Sequence, residues 1–476
     1  MKKKIVFISG HFNIIHPGHL RLFKFAKEIA DYLIVGVESN KLAKHYAHIN
    51  EELRVESVKS IKLVDEVVKI DSIPNAILKI KPNFILKGKE HEQQENIEKE
   101  IAKKIGSKLI FSSGETTYVT SDLINKEFVN LNYRPITIKN NFVQKNKIKI
   151  NLLRKLVNNF NKLNVCVIGD LIVDEYISCQ ALGMSQEDSV IVLSPSSNKK
   201  FIGGAGIVAA HASSLGAKCT LISVTGNDKH SNFIKNKLVS SGVYPIIFKD
   251  ESRITTLKQR FKVDNKIAMR LNYLRQNSIS KLFQEKVLNN FKKILKKKIN
   301  LLIFSDFNYG CLPLNLIENL IHLANKNNCF IACDSQSSSQ IGDISKFKNV
   351  NLITPTELEA RISLKNNEDG LNILVEKLRY NCNAEKVILK LGREGIIMHN
   401  YDKRKNFFET NRMESFSLNP IDVAGAGDSL LVGSSMALAL GAGLKEAALI
   451  GSILSAIQIS REGNIPILKS ELLKAI

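Results

Sequence analysis

IDVAGAGDSLLVG, residues 421–433, is the stretch on which the reading of this chain turns. Gly425-Ala426-Gly427 stands where a helix begins, so successive backbone N–H groups would point into one concavity, an anion hole fit for a transferring phosphoryl group. Asp428 follows in the first turn, placed to take the proton of an attacking hydroxyl. Phosphoryl transfer asks for positioning and charge stabilisation more than for covalent chemistry. Taken alone, the same residues could form a glycine-rich packing turn with an aspartate cap.

The surroundings decide between these readings. Residues 163–169 (LNVCVIG) read as a buried strand and 203–216 as a Gly-rich turn and helix. Further strands are read at 219–224, 301–305, 329–333, 350–353 and 386–390, and a long small-residue helix follows Gly427. Such alternation means an α/β domain with a parallel, doubly wound sheet. From about 163 to 476 the chain resembles the ribokinase, or PfkB, family of carbohydrate kinases. FIGGAGIVAAHASSLGA (201–217) resembles that family's first signature, and GDLIVDEY (169–176) its sugar-contacting strand end. TPTELEA (354–360) resembles its N-P-x-E segment, and LKLGREG (389–395) its nucleotide-side strand and turn. The resemblance implies Asp428 as catalytic base, with Gly425, Ala426 and Gly427 around the phosphoryl group. It implies Lys390, Gly392 and Gly395 on the nucleotide, Asp170, Asp174, Gly203 and Gly204 on the sugar, and Glu357 organising Mg²⁺ through water. Neither a G-x-x-x-x-G-K-[ST] loop nor HRD and DFG motifs occur, which excludes P-loop kinases and protein kinases.

The N-terminal part repeats the strand–helix alternation on a smaller scale. Strands are expected at 4–9 (KIVFIS), 32–37 (YLIVGV), 66–70, 84–87 and 108–111, with helices from about Gly18 to Ala30 and near 51–63. HFNIIHPGH (His11 to His19) follows the first strand directly, which sets two imidazoles beside the free N–H groups of a helix start, where phosphate is the expected ligand. His16 and His19 could then stabilise charge on an α-phosphate as pyrophosphate departs. Residues 4–135 resemble the cytidylyltransferase-like nucleotidyltransferases, whose G-x-F-D-x-x-H-x-G-H motif reads GHFNIIHPGH here, with Asn13 in place of Asp. The resemblance implies Phe12, Gly18, Lys44, Arg54, Lys87, Thr120 and Ser121 at the nucleotide and its phosphates. For Thr120 and Ser121 a plain helix cap is the alternative.

Within its family the kinase half is most similar to the bifunctional heptose 7-phosphate kinase and heptose 1-phosphate adenylyltransferase type of lipopolysaccharide synthesis. ITTLKQRFKVDNKIAMRLN (254–272) resembles its strand pair facing the sugar, and LIFSDFNYGCL (302–312) its SDY-x-KG-x-L segment. Three features depart. The nucleotidyltransferase comes first, Ile207 stands where a sugar-binding Asn is usual, and Asp334-Ser335-Gln336 replaces D-P-K. An unpaired sugar hydroxyl costs roughly 1–3 kcal/mol, so the sugar or its pose could differ. A polyol phosphate cytidylyltransferase fused to a matching kinase therefore stays open, as does ATP against CTP in the first domain.

Bulk properties agree with a two-domain cytoplasmic enzyme. The 476 residues exceed one ordinary core. No apolar run reaches the ~20 residues needed to cross a bilayer. The seven Cys show no CxxC and no metal spacing, which fits a reducing compartment. The formal charge of +22 comes from Lys spread along the whole chain, so nucleic acid is not the expected partner and anionic phosphosugars and nucleotides are. The expected organisation is a nucleotidyltransferase at 1–135, a linker and lead-in helix at 136–160, and a kinase at 161–476, with homo-oligomers possible at the sheet edges.

Overall fold

The computed structural model describes residues 3–15, 17–43, 47–88, 96–112, 140–263, 266–337, 341–402, 407–416 and 420–476. The chain divides into two compact units, Met1–Arg134 and Pro135–Ile476.

In the first unit β1 (Ile5–Gly10), β2 (Tyr32–Glu38), β3 (Glu66–Ile70), β4 (Phe84–Gly88) and β5 (Lys108–Ser112) form one parallel sheet in the order β3-β2-β1-β4-β5. The apolar run of β1 is buried on both faces, as a parallel sheet requires. Val6 and Ile8 pack with Phe23, Ala26 and Leu33 on one side. Phe7 turns the other way, to Ile77 and Ala102. The strand order reverses beside β1, so the loop after Gly10 opens at the crevice where such sheets bind ligands.

The second unit is built on β6 (Asn164–Gly169), β7 (Leu171–Met184), β8 (Ile191–Gly204), β9 (Lys218–Thr225), β10 (Tyr244–Lys249), β11 (Thr256–Val263) and β12 (Lys266–Tyr273). They are followed by β13 (Leu301–Asp306), β14 (Phe330–Ser335), β15 (Leu352–Ile353), β16 (Lys386–Lys390), β17 (Ile396–Asp402) and β18 (Phe407–Met413). A nine-stranded sheet runs β10-β9-β6-β13-β14-β15-β16-β17-β18. It carries one apolar core on each face, one around Val208 and Leu431, the other around Phe291 and Phe304. The parallel, doubly wound expectation holds from β10 to β16 and fails beyond. β17 and β18 join antiparallel, and a separate four-stranded sheet runs β12-β11-β7-β8. β12 is exposed along its whole length and β8 along most of its own, so neither carries the continuous buried apolar run that marks a central parallel strand. The stretch 254–272 does form the expected pair, β11 with β12.

The Lys/Asn-rich stretch before β6 holds two helices rather than one, Asn140–Lys145 and Ile150–Asn158. Leu153 and Val157 of the second, with Phe160 after it, are buried in the core around Val208. No helix among the described residues is long and apolar enough to cross a membrane.

The motif helix Ala426–Ala439 lies against the helix Leu444–Ile459 through two glycines. A Cβ on Gly433 would meet the Cα of Gly451 at 3.0 Å and press on Leu454. Gly433→Val should therefore lower the stability of the C-terminal unit by about 1–3 kcal/mol, the usual cost of overpacking, read as a lower urea midpoint.

Candidate active sites

In the second unit the motif loop delivers its residues to one place. Gly425 takes the left-handed conformation, φ 76°, and the helix starts at Ala426. The Ser429 hydroxyl donates to the Gly425 carbonyl at 2.7 Å, closing the first turn. His211, whose burial pushes its pKa down to about 3 and so keeps it neutral, accepts from the Ile467 N–H and contacts Ser429 at 3.4 Å. The loop is thus clamped from behind.

Asp428 is buried and faces Asp334 at the end of β14. The side-chain amide of Gln336 donates to Asp428 at 3.1 Å and reaches Asp334 at 3.5 Å. Lys390, the last residue of β16, places Nζ 2.9 Å from both oxygens of Asp334. Burial first, then the charge of Asp334, pushes Asp428 up to about 7. Burial likewise pushes Asp334 up to about 6 although Lys390 opposes it. A carboxyl poised near neutrality in a buried cleft is what a general base for a hydroxyl requires.

The four-stranded sheet closes on this cleft. Asp174 on β7 pairs with Arg260 of β11 at 2.7 Å and accepts from the Asn464 amide at 3.1 Å. Gly203 has no side chain because the Asp174 carboxylate occupies that space, and Gly204 turns at φ 60° into the following helix. Tyr176 donates to Asp422 at 2.6 Å, which also accepts from the Gly463 N–H, so β7 is tied to the segment that carries the motif.

Other expected residues are placed differently. Asp170 is buried and accepts from the N–H groups of Phe307, Tyr309 and Cys311, so it shapes the loop after β13. Glu357 stands 41% exposed at a helix start and pairs with Arg361 at 2.8 Å. Its neighbour Glu359 is the buried one, accepting from Thr356 and Ser337. Gly392 and Gly395 form the tight turn after Lys390, both at positive φ. Ile207 is fully buried in the apolar core.

In the first unit His16, Lys44, Thr120 and Ser121 lie outside the described residues, and Gly18 falls in the helix Pro17–Ile29. His19 on that helix packs between Phe12, at 5.1 Å, and Phe23, at 6.4 Å. Phe12, expected at the nucleotide, is instead 3% exposed in the core, and its backbone sits at φ 49°, rare for an aromatic residue. Asn13 keeps a turn role, accepting from the N–H of His48 and Ile49.

Arg54 lies inside the fold. Expected as a cation beside phosphate, it is completely buried and its guanidinium donates to the carbonyls of Ile49, His11 and Glu38 and to the Asn40 side chain. Lys87 is paired with the buried Glu98 at 2.7 Å. The sequence reading misses His11, which pairs with Glu38 at 3.0 Å across the ends of β1 and β2. It also misses Gln336 as a bridge, and Arg260 and Asn464 as partners of Asp174. Their only sequence signal is proximity to motifs, because their partners lie far along the chain.

The model of the pfkB family carbohydrate kinases matches residues 162–470, and the cytidylyltransferase-like model matches residues 7–139. The chain is 28% identical over 318 residues to the bifunctional protein HldE of Desulfatibacillum aliphaticivorans, covering 66% of this chain and 63% of that protein. It is 29% identical over 307 residues to the bifunctional protein HldE of Helicobacter pylori (strain Shi470), covering 63% of each. The chain thus spans less than two thirds of the length of these relatives. Among solved structures, Arabidopsis thaliana ribokinase complexed with ribose and ATP has a TM-score of 0.51 at 14% identity, over 66% of this chain and 98% of that one. Phosphofructokinase-2 from Escherichia coli in complex with potassium has a TM-score of 0.55 at 15% identity, over 66% and 97%. These likenesses show the fold.

Between the ordinary carboxylate value and about 7, folded Asp428 holds a proton that the unfolded chain has released. Its contribution to stability therefore falls as pH rises through that window. Asp428→Asn should be more stable than the unchanged protein above pH 7, by on the order of 1 kcal/mol or more, and equal to it near pH 4, in paired denaturant melts. Arg54→Met takes the donor from three carbonyls, that of Glu38 buried and those of His11 and Ile49 partly so, and in the same melts should lower the stability of the first unit by about 3 kcal/mol, with little effect on the second.

Proposed function

The chain belongs to the pfkB family of carbohydrate kinases over residues 162–470, with a cytidylyltransferase-like domain ahead of it, and from that premise we propose that it makes a nucleotide-activated sugar in two separate steps. The observation that carries the kinase half is the buried Asp428 beside the N–H-rich turn at Gly425–Gly427, with Lys390 close by. The acceptor is a sugar phosphate, heptose 7-phosphate in this reading, phosphorylated at O1. Its hydroxyl oxygen bonds to the γ-phosphorus of ATP, the bond to the β-phosphate oxygen breaks, ADP leaves, and the hydroxyl proton passes to Asp428. Charge on the transferring group is met by the Ala426 and Gly427 amides.

Magnesium belongs to the nucleotide substrate. Among the described residues no group of three or more His, Cys, Asp or Glu could hold a metal ion. An ion of this kind keeps most of its waters and rides on phosphates, and Glu357 is an exposed carboxylate that would reach its water shell.

In the first domain a sugar 1-phosphate oxygen would attack the α-phosphorus of ATP or CTP, and pyrophosphate would leave. His19, with His16, would stabilise the charge that builds there, and Lys44 would assist. Arg54 serves from behind, by holding the carbonyls of His11 and Glu38. A phosphatase acting between the two steps is implied, because the kinase product carries two phosphates. The second reading, a polyol phosphate cytidylyltransferase with a matching kinase, is favoured by one observation. Ile207, at the usual position of a sugar-binding Asn, points into the core.

Product analysis by mass spectrometry tests this. Given Mg²⁺, ATP and CTP, the protein should turn heptose 7-phosphate into a bisphosphate and heptose 1-phosphate into a nucleotide-heptose whose mass names the base. Asp428→Asn should lose the first product and keep the second, while His19→Ala should cut the second by about 100-fold or more. No product from either heptose would move the assignment to the polyol reading.

A further inference from the structure

Two lysines of the heptose-kinase pattern are missing from this chain. D-P-K ends in Gln336, and SDY-x-KG-x-L has Tyr309 where its lysine would be. The space beside Asp428 nevertheless holds a cation. Lys390 is 12% exposed, and its Nζ contacts both Asp334 oxygens at 2.9 Å. A Cβ built on Gly427 would lie 3.1 Å from that nitrogen. The ammonium therefore sits against the same turn whose backbone N–H groups form the anion hole.

Its anchorage is rigid. The Lys390 N–H donates to the Pro355 carbonyl at 2.8 Å, and the next residue closes the turn to Gly395 at 2.9 Å. An ammonium has three N–H donors. A bidentate contact with Asp334 uses two and leaves one for an incoming oxygen. Gln336, at the end of β14, has an uncharged amide that cannot neutralise phosphate, and it donates to Asp428 at 3.1 Å instead.

We propose that Lys390 is the cation that meets the transferring phosphoryl group, supplying from β16 the charge that position 336 lacks, while Gln336 positions Asp428. This rests on the kinase reading above. In the transfer step the acceptor oxygen bonds to the γ-phosphorus, the bond to ADP breaks and the proton goes to Asp428. Lys390 keeps all its protons, holds Asp334 with two of them and offers the third N–H to a γ-oxygen.

The test uses the full chain and three variants: Lys390→Thr, Lys390→Thr with Gln336→Lys, and Lys390→Thr with Asp334→Asn. The last removes the carboxylate that the first leaves unpaired, so it keeps the measurement informative if the first folds poorly. ATP and ADP affinities are measured by titration calorimetry, a readout that needs no acceptor sugar. Every variant carries the same first domain, so its nucleotide binding cancels in the comparison. Both Thr variants that retain Gln336 should weaken ATP at least tenfold more than ADP, and the lysine moved to 336 should recover most of that loss. With an acceptor, kcat should fall at least 100-fold in Lys390→Thr and regain at least tenfold in the swap. Equal weakening of ATP and ADP, or turnover within threefold of the unchanged protein, would reduce Lys390 to a structural partner of Asp334 and overturn the proposal. Failure of the kinase reading looks different, since the unchanged protein would then phosphorylate no carbohydrate acceptor while these affinities could still be compared.

Discussion

Buried carboxylates at the ends of neighbouring strands set the terms for the kinase unit. β6, β13 and β14 lie side by side, and at their carboxyl ends stand Asp170, Asp306 and Asp334, with Asp428 opposite. Each charge taken out of water must be matched or it neutralises itself. Asp170 takes three backbone N–H groups and so dictates the course of the loop at 307–311. Asp306 is met by Lys346 at 2.6 Å and by the Ser335 hydroxyl. Asp334 is met by Lys390, whereas Asp428 receives the amide of Gln336. Burial, and then the neighbouring charge of Asp334, hold Asp428 nearest to neutral pH.

The same logic appears with opposite sign in the first unit. There the buried charge is a guanidinium, and the backbone answers it. Arg54 gathers carbonyls from the loop after β1, from the end of β2 and from the approach to its own helix. The carbonyls it joins, those of His11 and Glu38, belong to the residues whose side chains pair with each other. Phe12 lies between them in the chain and is kept in an unfavourable backbone conformation, with its ring locked under His19. Strain of that sort persists where packing over-determines it, and here the packing sets the height and tilt of a candidate catalytic imidazole.

Much of the fold was legible because parallel strands buried on both faces write continuous apolar runs. Strands at 66–70 and 386–390 stand where the apolar pattern puts them, and β6, β9, β13 and β14 lie within a residue or two of expectation at nearly every end. The four-stranded sheet was less legible, since β12 is exposed along its whole length and its residues carry no core signature. The site motifs were readable as residue types in order. What each side chain does depended on partners hundreds of positions away, such as Asn464 for Asp174, or nearly a hundred away, such as Asp428 for Gln336. Arg54, Phe12 and Asp170 show the limit plainly. A motif marks a residue as necessary near a site without saying whether it faces the ligand or holds the wall.

That distinction also changes how departures from a motif are weighed. Position 207 carries Ile where the pattern has Asn, and the structure uses that side chain as core. An amide nevertheless reaches the sugar-side carboxylate, because Asn464 enters from the C-terminal segment and donates to Asp174. Position 336 carries Gln where the pattern has Lys, and an ammonium arrives from β16. In both places a polar group reaches the neighbouring carboxylate from another part of the chain. Electrostatics and hydrogen bonding act through where the atoms end up, and strand ends that converge on one cleft offer several attachment points for the same atom. Substrate preference in such a cleft depends on the direction in which each group enters.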